Sequence, residues 1–158
     1  MNSDDPIAFF LTWVTYGKWL PGDARGWVEY RHGWQLPSRD LEADCESRMS
    51  DDAVRLASDQ RSAVERQIAE TCQHRGWHLH AVNCRSNHVH AVVTSGETPP
   101  KKIRIDLKAY ATRCLKSFDG ERENWWAERG SIRWIYNDDD LEAAVIYVVD
   151  GQDRKPEA

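Results

Sequence analysis

The chain has 158 residues, long enough for one domain with a real core, and carries a formal net charge of −5. An acidic total excludes a molecule-wide basic field, so any nucleic-acid contact has to come from a local patch. No apolar run reaches the roughly 18 residues of a spanning helix, and the acidic start Met1-Asn2-Ser3-Asp4-Asp5-Pro6 lacks the basic region of a signal peptide. No membrane partner and a cytoplasmic location are therefore expected. Cys45, Cys72, Cys84 and Cys114 are scattered without a C-x-x-C pair, which favours reduced thiols over two disulfides.

Residues 7–16 are β-branched and aromatic and read as a first strand. Gly17 opens a shaped loop punctuated by Pro21, Gly22 and Gly26, and Trp13, Trp19, Trp27 and Trp34 crowd around it. Those indoles either pack the loop onto the body or offer faces on which unpaired bases stack. Residues 38–50 are polar and acidic, a solvated connector. A helix is expected from Asp51 to Arg75, with Ser50 as N-cap, Asp51 and Asp52 in the first turn and Gly76 as its stop. Val54, Ala57, Val64, Ile68 and Cys72 supply its buried stripe.

Trp77 to Cys84 alternates like a strand, Arg85-Ser86 turns, and residues 87–94 return as the second arm of a hairpin. A strand repeats every two residues, so His88 and His90 point to one face, and two adjacent imidazoles make half of a divalent-metal site. A two-residue turn pairs His90 with Ala81 and His80 with Ala91, setting the pairs 78/80 and 88/90 on opposite faces. A one-residue slip sets His80 against His90 instead. Pro99 and Pro100 start a helix over 101–118, where Lys101, Lys102, Arg104, Lys108, Arg113 and Lys116 are opposed by Asp106 alone. It is a solvated face or a phosphate-contacting one. Ile132 to Tyr136 is a short strand. Asp138 or Asp139 caps a last helix with Leu141, Ala144, Val145 and Val148 on its apolar side, and the tail from Gln152 is charged.

The order strand, helix, strand, strand, helix, strand, helix implies an α+β fold of ferredoxin-like type: an antiparallel sheet with helices packed on one face, in a single domain over 1–158. Asn87-His88-Val89-His90, the basic helix after it, the Gly130-Ser131 strand segment and the Tyr147 helix together resemble the single-tyrosine HUH transposases. These comprise the transposases of small insertion sequences and the REP-associated tyrosine transposases. The loop Thr15-Tyr16-Gly17-Lys18-Trp19-Leu20-Pro21-Gly22-Asp23-Ala24-Arg25-Gly26 looks like an opening of one branch of that family. The resemblance spans about residues 8–152.

What the resemblance implies is a metal-dependent endonuclease and strand transferase acting on single-stranded or hairpin DNA through a phosphotyrosine link. Tyr147 would be the nucleophile, with His88 and His90 holding Mg²⁺ or Mn²⁺. The family usually sets Gln or Asn four residues after the tyrosine, where this chain has Gly151, so Gln152 is the candidate third ligand and Asp150 the alternative. Tyr110, within the basic helix, is the rival nucleophile. Trp19 and Arg25 in the loop join the six basic residues of 101–118 as candidate DNA contacts. Family members act as monomers or as homodimers, and both remain open. Two other readings stand beside this one: a non-catalytic single-stranded nucleic-acid binding module on the same fold, and a structural zinc site using His78, His80, His88 and His90.

Overall fold

Seven residues, Ala8–Val14, form the strand β1, and their side chains are buried on both faces of the sheet, not on one. Phe9, Leu11 and Trp13 enter one hydrophobic cluster, while Ala8 and Phe10 enter another. In the computed structural model residues 5–17 and 53–150 are described in full, with the backbone alone at 27–29 and 33–35. Expectations for Trp19, Arg25, Cys45, the 38–50 connector, Gly151, Gln152 and the tail lie outside the described residues, as do the side chains of Trp27 and Trp34.

After β1 come two short strands that pair with each other, β2 (Trp27–Glu29) and β3 (Gly33–Gln35), a hairpin within what the sequence suggests is loop. Then follow α1 (Ser58–Arg75), β4 (His78–Cys84), β5 (His88–Thr94), α2 (Pro100–Leu115), β6 (Ser131–Ile135) and α3 (Asp138–Val149). The main sheet runs β4-β5-β1-β6 with every neighbour antiparallel. The α+β class and the antiparallel ferredoxin-like arrangement therefore hold. Val64, Ile68 and Cys72 of α1 and Ile103, Leu107, Ala111 and Leu115 of α2 pack on the odd-numbered side of β1. α3 is the exception to helices on one face: Ala144 and Val148 pack on the other side, with Phe10, Ala81, Val92 and Ile135. A strand carrying apolar groups on both faces needs a cover on each.

Two further expectations are corrected. α1 begins at Ser58, seven residues later than the sequence suggests, because residues 54–56 run extended: Val54 N–H donates to the Tyr16 carbonyl (2.9 Å) and Leu56 N–H to the Ser86 carbonyl (2.7 Å). Val54 and Leu56 are both buried, so a two-residue spacing wins over the helical one. The cap comes from Gln60, whose Oε1 accepts from the Ala57 N–H at 2.8 Å. Gly76, at φ +76°, ends the helix as expected.

In the β4–β5 hairpin neither expected register is found. Asn83 pairs with His90 and Val82 with Ala91, and a bulge between Leu79 and Ala81 absorbs one residue. His78 consequently pairs with Thr94, and the His80 Nε2 lies 2.7 Å from Thr94 Oγ1. The second histidine pair thus sits at the far end of the same face as His88 and His90.

The basic helix is divided by its neighbours. Arg104 is buried and its Nη1 donates to the Gly130 carbonyl (3.0 Å), while Lys108 Nζ donates to the carbonyls of Ala127 (2.9 Å) and Arg129 (3.0 Å). Burial, with Arg104 beside it, pulls the Lys108 amine below its ordinary range, against the opposing pull of Glu128. Lys102 pairs with Asp106 at 2.9 Å. Lys101, Arg113 and Lys116 stay exposed. The cationic clamp seats residues 127–130 against β1, and buried Cys72 and Cys84 are free thiols, lifted by desolvation to about 11 and about 12.

At Gly130 the clamp leaves no room for a side chain, since a Cβ there would stand 2.3 Å from the Thr12 carbonyl oxygen. Gly130→Ala should therefore cost about 1–3 kcal/mol, read as a lowered urea midpoint at unchanged slope. Gly120→Ala, where the nearest atom is an ordinary 3.6 Å away, should leave the midpoint within about 0.5 kcal/mol.

Candidate active site

The strand period brings His88 and His90 onto one face of β5, with ring centroids 4.8 Å apart. Each ring is oriented from its Nδ1 side. Thr12 is the register partner of His90 across β1, and its Oγ1 lies 2.8 Å from His90 Nδ1. His88 Nδ1 lies 2.8 Å from Asn87 Oδ1, an amide oxygen that can only accept, so His88 carries its proton on Nδ1. Asn87 is anchored in turn, because its carbonyl accepts from the N–H of buried Thr15 at 2.9 Å. With Nδ1 engaged on both rings, Nε2 is the atom each would offer to a cation, the usual logic of a histidine metal ligand.

α3 lies across this face. Asn137, not Asp138 or Asp139, is its N-cap, and the Asn137 Oδ1 accepts from Asp140 N–H at 2.8 Å. Three aspartates, 138–140, stand in the first turn, where the helix dipole favours negative charge. Ala144 and Val148 seat the helix, and Tyr147 is half-buried with its ring centroid 5.7 Å from that of His90 and 6.0 Å from that of Phe10. At the helix end, Asn83 Nδ2 donates to the Val148 carbonyl at 2.9 Å. Since Asn83 is the register partner of His90, one cross-strand pair holds both the histidine and the last turn of the tyrosine helix.

Between sheet and helix is a cavity of about 400 Å³, with Phe10 and Thr12 on its floor and His90, Arg133, Asp140 and Tyr147 around it. Of the sequence-derived site residues, His90 and Tyr147 share this cavity, and His88 stands beside His90 on the same strand face. Tyr110 does not join them. It stands on α2, on the other side of the sheet, its ring faced by the guanidiniums of Arg75 (5.9 Å) and Arg113 (5.5 Å). Exposed Asp150 is the C-cap of α3, and Gln152 lies outside the described residues. Among the described residues no three His, Cys, Asp or Glu side chains converge on a common point, so the four-histidine zinc site does not assemble and Asp150 completes no cluster with His88 and His90. Two imidazoles at chelating separation fit one edge of a divalent-ion site, with remaining positions for amide, water or phosphate oxygens. Burial, and then the neighbouring His78, hold the His80 imidazole below its ordinary pKa.

Thr12, Asn83 and Arg133 are the site residues that sequence reasoning missed. Each is placed by the register of a different strand, which no local pattern reveals. The cap was more accessible, since Asn137 three residues before Asp140 carries an N-cap signature.

The same fold occurs among solved structures. The chain is similar to a REP-associated tyrosine transposase whose structure was determined bound to a REP hairpin, with 15% identity and a TM-score of 0.56 over 94% of this chain and 67% of that one. A presumed transposase from Deinococcus radiodurans R1 aligns at 13% identity and a TM-score of 0.49, over 93% of this chain and 91% of its own. No family model and no curated protein matches the sequence. At 15% identity the first likeness establishes a shared fold and nothing finer.

Removing the tie between sheet and helix end should be visible without any substrate. Asn83→Ala leaves the Val148 carbonyl without its side-chain donor, a loss of about 1 kcal/mol. Amide exchange at 146–150 should then accelerate roughly fivefold, with α1 amides unchanged. Equal acceleration everywhere would mean that Asn83 stabilises the whole molecule and not this turn.

Proposed function

We propose that the chain is a single-tyrosine HUH transposase that cuts and rejoins single-stranded DNA at hairpin-flanked sites. The observation that carries the reading is the Tyr147 ring beside His90 in one cavity, on the face where His88 also stands. The fold shared with a transposase whose structure was determined bound to a REP hairpin supports it.

In this reading the Tyr147 oxygen attacks the scissile phosphorus, the bond from phosphorus to O3′ breaks, and the phenolic proton leaves while the departing O3′ takes one up. Attack by another 3′-hydroxyl on the phosphotyrosine reverses the step, releasing the phenol. One hard displacement becomes two exchanges of equivalent bonds, with no need for an external energy source. Mg²⁺ or Mn²⁺ would be held by His88, His90 and, as the proposed third ligand, Gln152, supplying when bound Lewis acidity and orientation at the phosphate. Thr12 and Asn87 keep the two imidazoles turned with Nε2 outward. Phe10 and the apolar side of α3 limit water behind the tyrosine. Lys101, Arg113 and Lys116, exposed on and just past α2, are the proposed phosphate contacts outside the cavity, with Trp19 and Arg25 as the proposed contacts of the loop.

The test is the covalent intermediate, since water activated by a metal would also cut DNA. Protein mixed with labelled hairpin oligonucleotides from the repeats flanking its gene should give a protein–DNA band that survives heat and detergent. Tyr147→Phe should abolish the band and Tyr110→Phe should retain it. A band that persists in Tyr147→Phe removes the assigned nucleophile.

Chelation by EDTA should stop cleavage, and added Mg²⁺ or Mn²⁺ should restore it. His88→Ala and His90→Ala should each leave less than about a tenth of the parent rate, with the melting temperature within a few degrees of the parent. Full activity in either variant would separate the histidine pair from the chemistry.

A further inference from the structure

The cavity under Tyr147 holds one fixed positive charge among the described residues, Arg133, which no part of the mechanism above uses. Arg133 is the register partner of Phe10, so it points to the face that carries the histidines and α3. His90 stands on β5 and Arg133 on β6, the two strands that flank β1. Strand spacing puts their backbones roughly 10 Å apart, a gap that an imidazole, a phosphate and a guanidinium fill end to end.

The charge around the cavity makes this arginine unusual. Asp140 lines the same cavity, with Asp138 and Asp139 on the same turn, in a protein of net charge −5. An arginine beside aspartates commonly forms an ion pair. Arg133 forms none among the described residues, and Asp140 is engaged instead by Asn137, whose Nδ2 donates to Asp140 Oδ2 at 3.0 Å. The guanidinium is exposed at the cavity rim, with its fork of donors uncommitted among those residues.

We infer that Arg133 grips the scissile phosphate, donating to its non-bridging oxygens as negative charge builds on them during attack by Tyr147. This inference rests on the proposed function. A guanidinium suits the task because its planar fork of donors matches two phosphate oxygens at once. Asp140 beside it repels a phosphate bound anywhere but against the arginine, which sharpens the position of the reacting group.

The probe is a pool of single-stranded hairpin oligonucleotides with randomised flanks, from which the parent protein selects the members it joins covalently. A chosen member is then remade with a neutral methylphosphonate at the scissile position. On the phosphodiester, Arg133→Ala should slow adduct formation on the order of 100-fold, Arg133→Lys should fall between, and binding of the uncut hairpin should change less than about threefold. On the methylphosphonate the parent and Arg133→Ala should differ by less than about fivefold, because the charge that the arginine neutralises is gone. Equal slowing on both substrates, or no slowing on either, overturns the assignment while the parent's adduct upholds the nuclease reading. A parent that joins no member of the pool overturns both.

Discussion

The pairing of β1 with β5 sets Thr12 beside His90 and Val14 beside His88, and almost everything at the candidate site depends on that register. β1 lies between β5 and β6, buried on both faces, and a slip of one residue would turn Phe9, Leu11 and Trp13 away from α1 and α2. Trp13 alone, fully buried in that cluster, opposes such a slip by several kcal/mol of lost burial and packing. The hydroxyl that orients His90 is therefore held by hydrophobic residues pointing the opposite way. The geometry of the polar face is a by-product of the packing of the apolar one.

The sheet divides the molecule into unequal parts. On one side α1 and α2 build a large cluster, and the cations of α2 reach past it to clamp 127–130 through backbone carbonyls. On the other side α3 covers a small cluster and leaves a cavity. The larger core and the cavity thus lie on opposite faces. Tyr110 belongs to the first and Tyr147 to the second, so the two tyrosines face different surroundings.

Local signals made much of this legible in the sequence. The period of two placed His88 and His90 together, the periods of three and four found the apolar side of α3, and Gly76 ended α1 where its left-handed conformation requires. What stayed hidden was set by partners distant in the chain. The extended course of Val54 and Leu56 is fixed by Tyr16 and Ser86, and a helical pattern in the residues themselves gave no warning of it. Register counting failed first at the turn, where Arg85 N–H donates to the His88 carbonyl so that Ser86-Asn87 turn in place of Arg85-Ser86, and the bulge at His80 then reverses the parity for His78. The six cations of 101–118 looked uniform in sequence, whereas the fold buries Arg104, spends Lys108 on carbonyls and leaves Lys101, Arg113 and Lys116 in water.

Because α3 has its own small core, it acts as a lid on a surface that is otherwise unfit for water. A chain ending at Tyr136 would keep the larger cluster, yet it would bare Phe10, Val92 and Ile135 as a flat apolar sheet beside β6, the edge strand among the described residues. Such a surface invites self-association. The helix that carries Tyr147 is for that reason also what keeps this apolar face from water. On the proposed function, a descendant that gave up strand transfer and kept only DNA recognition would have to retain α3 and change Tyr147 in place. On that reading one side chain would carry the chemistry, while the helix as a whole carries the cover of the second core.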